Sequence, residues 1–196
     1  TQTTWGNDPW EKLNRSAEAA HRLGAGVVVV HPPFRWQRDY ARDFVTGIKR
    51  LNEESGVVFS VENMYPWRTG GPTFKAYLPG WDPSELDYDH LTLDLSHAST
   101  SRVKSMDYVD AWGSRLRHVH LTDGTGAKVD AHLLPGEGDQ DAWHLVEELA
   151  RRRFDGQIVL EVNTRGMANR SQREQALGQV LADIRSHLEI GAAQAS

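Results

Sequence analysis

Short apolar runs rich in β-branched residues recur along this chain, and nearly every one finishes on a carboxylate or an imidazole. His31 follows VVVV, Glu62 closes VVFSVE, Asp94 and His97 lie in LTLDLSH, and His118 and His120 lie in LRHVHLTD; Asp130 and His132 follow in VDAH and Glu161 in IVLEVN. Helical patterns separate most of these runs. Apolar strands of about five residues alternating with helices imply parallel pairing with helices on the outside. In a parallel barrel all strand carboxyl ends meet at one face, which is where such folds place their chemistry. The expected architecture is therefore an α/β, (β/α)8 TIM-type barrel whose strand ends converge on a metal-centred site.

The pass along the chain gives the elements. Asn7 or Asp8 as N-cap with Pro9 just after it opens a helix through 23, closed by Gly24 and Gly26, and residues 27–30 form a buried strand. A helix over 39–55 stops at Gly56 and a strand follows over 57–62. Residues 65–90 are rich in Gly, Pro and Trp, too long and irregular for a plain connector, and read as a lid or binding surface. Next come a strand over 91–95, a helix within 105–114 and a strand over 116–121. A short extended piece over 129–132, a helix over 141–152, a strand over 158–162 and an amphipathic helix over 171–188 complete the chain, with a frayed GAAQAS tail. That makes six strands. Residues 1–4 read as the stump of another. The barrel is expected to lack its N-terminal one or two βα units in this chain, since 196 residues is slightly short for eight. An open doubly wound sheet is the alternative, but HPPF stands where a dinucleotide-binding version would carry its Gly-rich turn.

Composition narrows the function classes. A chain of 196 residues with 39% hydrophobic and 25% charged residues has the makeup of one ordinary globular domain, so 1–196 is read as a single domain. With 22 basic against 27 acidic residues and no dense basic block, nucleic acid is not the expected partner. No cysteine is present, so any metal must be held by imidazole and carboxylate. No stretch is long and apolar enough to cross a bilayer and no secretory signal opens the chain, so the expected location is the cytoplasm. A homo-oligomer is compatible with all of this.

Strand parity sharpens the site. Alternate residues share a face, so Glu62 lies with Ser60, Asp94 with Thr92, His120 with His118 and Glu161 with Val159. Glu62, Asp94, His120 and Glu161 can thus point inward together, offering three carboxylates and one imidazole to one divalent ion. Such a donor set suits Mn²⁺, Mg²⁺ or Co²⁺, with Zn²⁺ also possible. The competing explanation for the acids is a strand-end salt bridge with arginine, which buried acids at three strand ends disfavour. His21, His90, His144 and His187 read as ordinary structural histidines. Asp123 either fixes an imidazole or caps a turn. Trp36, Tyr65, Trp67 and Trp81 could shape a sugar pocket, and Arg68, Lys75 and Arg165 could meet a phosphate or carboxylate.

The segments VEN at Glu62, LDLSH, HVHLTD, HLLPGEG and LEV at Glu161 resemble the xylose isomerase-like barrels, a superfamily of sugar and sugar-phosphate isomerases and epimerases that also includes endonuclease IV. The resemblance runs from about residue 27 to residue 161. Its epimerase branch implies that Glu62, Asp94, His120 and Glu161 hold one metal. It also implies that Glu62 and Glu161 move protons on opposite faces of a metal-stabilised enediolate, in a divalent-metal-dependent isomerase or epimerase. His97 would then hydrogen-bond a sugar oxygen. The endonuclease IV branch implies instead an abasic-site DNA phosphodiesterase with three zinc ions. There His31 joins Glu62 on one ion, and His97, Asp130 and His132 hold another. ENMYPW and LLPGEGDQD look more like the isomerase-type members. A third reading is a non-catalytic sugar-binding barrel.

Overall fold

The computed structural model describes residues 8–68 and 73–195; the expected strand stump at 1–4 lies outside the described residues. Helix α1 (Pro9–Leu23) starts where the sequence requires: Asp8 accepts the Glu11 N–H at 3.0 Å, Pro9 occupies the first turn, and Gly24 ends the helix at φ 68°. Strand β1 (Val27–Val30), helix α2 (Arg38–Ser55), strand β2 (Val58–Glu62) and strand β3 (Leu91–Asp94) follow. Then come α3 (Leu95–Ser101), α4 (Ser105–Trp112), β4 (Leu116–Leu121), α5 (Ala142–Arg151), β5 (Gln157–Leu160) and α6 (Arg170–Ala193). The strands run β1-β2-β3-β4-β5 in hydrogen-bonded order. Val27 is in parallel register with Val58, and Glu62 with Thr92. Strictly sequential order, with helices after every described strand but β2, is the βα repeat of a TIM-type barrel; a doubly wound sheet would reverse its order partway.

Three expectations need correction. The piece over 129–132 is not a strand, so five strands are described where six were expected. His132 adopts a left-handed φ of 46°, which no strand tolerates, and Leu133 makes only an isolated antiparallel bridge to Asp123. Helix α3 was not expected, because LSHASTS has no apolar period. It forms because Asp94 caps it, accepting the His97 N–H at 2.7 Å, with all seven residues buried. Helix α6 continues through the first part of the tail expected to fray. Gly191 lets it do so: a Cβ there would lie 2.1 Å from the Glu147 carbonyl oxygen on α5.

The chain packs as two compact units. The first comprises residues 1–92 with 112–118, and the second 93–111 with 119–196. In the first, Phe44, Ile48 and Leu51 of α2 are buried together with Phe59 and Val61 of β2. The ring of Trp10 occupies the space a side chain at Gly47 would need. In the segment after β2, Met64, Ala76 and Tyr77 form a buried cluster against Phe34, Trp67 and Trp81. In the second unit, α5 packs on α6, burying Leu145, Val146, Leu149, Val180 and Ile184. Burial of each such side chain contributes about 1.5–3 kcal/mol, which fastens α5 and α6 to one another.

Candidate metal centre

Asp94 ends β3 with 0% of its side chain exposed. A bare carboxylate in that position is costly unless its oxygens are engaged. Oδ1 caps α3 through the His97 N–H, and Oδ2 lies 3.5 Å from His120 Nδ1 on β4. The same His120 nitrogen is 2.8 Å from Oε2 of Glu161, which follows β5 directly. Glu161 differs from Asp94 in being 49% exposed, so its carboxylate is open to a substrate. The backbone fixes the pair as well, since the Glu161 N–H donates to the Leu121 carbonyl at 3.1 Å. Strand parity therefore does bring Asp94, His120 and Glu161 together.

A second constellation hangs on the loop after β4. Asp130 Oδ2 faces two imidazoles, His132 Nε2 at 2.8 Å and His97 Nε2 at 3.2 Å. His132 Nδ1 faces the Glu161 carbonyl oxygen at 3.2 Å. Acceptors face both nitrogens of the ring, and the hydrogen bond to Asp130 is the main cause that pushes its pKa up to about 9. Burial alone would push the Asp130 carboxyl up, but its bonds to His132, His97 and Ser96 hold it well below the usual carboxylate range. Asp94, His97 and His132 each offer a ligand atom, all within 4.8 Å of one another. One carboxylate and two imidazoles so close suit a borderline divalent ion, so these residues fit the metal implied by the sequence.

In the first unit Glu62 ends β2, 2% exposed, with His31 Nε2 at 2.9 Å from its Oε2 and the His31 ring 62% exposed. Ser60 and Thr92 touch on the same face, the Thr92 hydroxyl donating to Ser60 Oγ at 2.7 Å, as parity requires. Asp123 is a turn organiser and not an imidazole partner. Fully buried, it accepts the N–H groups of Gly124, Gly136 and Gln140 at 2.9, 3.0 and 3.1 Å. Gly138 is required beside it, since a Cβ there would fall 2.1 Å from the Gly124 carbonyl oxygen. Sequence reasoning missed Ser96. Its place beside Asp94 and His97 in LDLSH was the available signal. A cavity of about 400 Å³ is lined by His132, Glu161, Asn163, Thr164 and Arg165.

Residues 6–187 match the family model for the xylose isomerase-like TIM barrel, and the chain belongs to that family. It is 40% identical over 207 residues to an uncharacterized protein of Mycobacterium tuberculosis, covering 96% of this chain and 74% of that one. A shorter stretch of 59 residues, 30% of this chain and 21% of the other, is 37% identical to fructoselysine 3-epimerase of Escherichia coli O157:H7. Among solved structures, endonuclease IV from Thermus thermophilus superposes with a TM-score of 0.60 at 23% identity, over 92% of this chain and 68% of that one. Among the described residues no helix is long and apolar enough to cross a membrane.

Proposed function

We propose that this protein is a divalent-metal-dependent isomerase or epimerase of sugars or sugar phosphates. The observation that carries the reading is the buried Asp94 sharing His120 with a half-exposed Glu161: one carboxylate is sequestered as a ligand and another is open to substrate. Glu62, two residues past Ser60 on the face that meets Thr92, is the fourth member of the set. The likeness to fructoselysine 3-epimerase supports the epimerase branch. We place the protein in the cytoplasm.

In this reading Glu62, Asp94, His120 and Glu161 hold the ion, which supplies Lewis-acid stabilisation of the oxyanion that develops when a carbon next to a carbonyl loses its proton. Glu161, open to the cavity, takes a proton from one face of that carbon. Glu62, entering the step protonated, gives its proton to the opposite face, the configuration inverts, and exchange with solvent restores the two carboxyl groups. Asp94 keeps one oxygen on the α3 N-terminus, which fixes the other toward His120. Arg165 lines the same cavity as Glu161 and is placed to meet an anionic substituent, favouring sugar phosphates over free sugars. The test is incubation with ketoses and their phosphates in D₂O: deuterium is expected at the exchanging carbon, and its absence from every member of the panel with metal fully loaded rejects the reading.

The grouping of Asp94, His97 and His132 with Asp130 favours a second reading, an endonuclease IV-like phosphodiesterase with three zinc ions. Elemental analysis separates the two. Three zincs with cleavage at abasic sites support the nuclease, and one ion supports the isomerase.

A further inference from the structure

Ser96, the second residue of α3, has no solvent exposure, yet its hydroxyl spends nothing on its own helix. It donates to Asp130 Oδ1 at 2.5 Å and accepts the N–H groups of Ala131 and His132 at 3.1 Å each. A serine hydroxyl has one proton and two lone pairs, so its capacity is used in full on three consecutive residues of one loop. That loop needs such a hold. His132 sits at φ 46°, a backbone region in which a non-glycine residue persists only where its surroundings enforce it. On its far side the Leu133 N–H donates to the Asp123 carbonyl at 2.9 Å, so the 130–132 segment is clamped between Ser96 and Asp123.

A buried serine that merely fills space would leave its hydroxyl on a nearby carbonyl. Here all three bonds converge on the residues that bring Asp130 and His132 to His97. We infer that Ser96 is a positioning residue: its hydroxyl fixes the 130–132 segment so that Asp130 and His132 present their donor atoms beside His97 to a divalent ion. The inference rests on the metal reading of this constellation only for its last clause, since the clamp is a set of hydrogen bonds between Ser96 and the loop.

Two measurements on the full chain test it. In the metal-free wild type, the Ala131 and His132 amides are expected to exchange slowly with D₂O by NMR, and Ser96→Ala to speed both at least tenfold while β4 amides keep their rates. In a Co²⁺ titration followed by visible absorption, Ser96→Ala is expected to weaken binding about 10–100-fold, the usual range for groups that orient ligands, and Ser96→Thr, which keeps the hydroxyl, to recover most of it. Fast exchange of both amides in the wild type overturns the inference without any variant. So does a Ser96→Ala protein with unchanged exchange and unchanged Co²⁺ affinity. If the amides respond to Ser96→Ala while Co²⁺ affinity does not change, the clamp stands and the metal reading of the constellation fails.

Discussion

The two groups of acids and imidazoles in the second unit are built on different physical terms. Asp94, His120 and Glu161 stand at the ends of adjacent strands, and the sheet itself sets their spacing. Asp130 and His132 stand on a loop with no ladder to hold them, and their arrangement depends on a left-handed residue, one serine hydroxyl and the buried carboxylate of Asp123. The first group is as rigid as its strands. The second is a constructed loop that can be dismantled one hydrogen bond at a time, and it is where relatives of one fold can diverge in chemistry.

The sharpest way to break the strand-borne group is Glu161→Gln, which keeps shape and removes the base. Deuterium exchange into a ketose substrate should fall about 10²–10⁴-fold, the range expected for loss of a general acid–base group, with the melting temperature nearly unchanged. The loop-borne group should yield to Gly138→Ala. The added Cβ would meet the Gly124 carbonyl oxygen at 2.1 Å and Asp123 Oδ1 at 2.3 Å. Overpacking of this kind costs roughly 1–3 kcal/mol. Deuterium exchange into a ketose substrate should be nearly unchanged in that variant, because the ion of the isomerase reading depends on His120 and not on His132.

Acidity distinguishes the groups further. His132 has a folded pKa of about 9 against its ordinary 6.5, so the stability it contributes is fully present below 6.5 and is lost as pH rises through about 9. Asp130 is shifted the other way, so its contribution is present above the ordinary carboxylate range and is lost in acid. Denaturant midpoints of the metal-free protein should decline between pH 6.5 and 9, and His132→Gln should flatten that decline. Metal must displace the His132 proton, so uptake at the loop should strengthen over the same interval. The smallest effect belongs to the surface. Glu148, its side chain 15% exposed, is held down to about 2, first by its hydrogen bond to Arg151 and then by Arg152, and because both arginines are half open to solvent Glu148→Gln should cost no more than about 1 kcal/mol, and only above the normal pKa of 4.5.

The contrast also explains what the sequence could reveal. Short apolar runs rich in β-branched residues mark β1 to β5, and counting residues by twos along them sends Asp94, His120 and Glu161 to one side. Asp8, Pro9 and Gly24 likewise mark the bounds of α1 from local chemistry alone. The 129–132 segment misleads for the opposite reason. Its residues have strand-like character, but its conformation is decided by Ser96, some 35 residues away, and no local pattern carries that information. Asp123 is similar, since its partners at Gly136 and Gln140 are 13 and 17 residues distant. Helix α3 escaped notice because a cap and burial, not an apolar period, make it.

The central claim is that the strand-borne group moves a proton at carbon next to a carbonyl. Its most direct test is NMR of a ketose and ketose-phosphate panel incubated in D₂O with the Mn²⁺-loaded protein. Deuterium is expected at a single carbon adjacent to the carbonyl of at least one substrate, and is lost in Glu161→Gln. A fully metal-loaded protein that leaves every substrate in the panel unlabelled would contradict it.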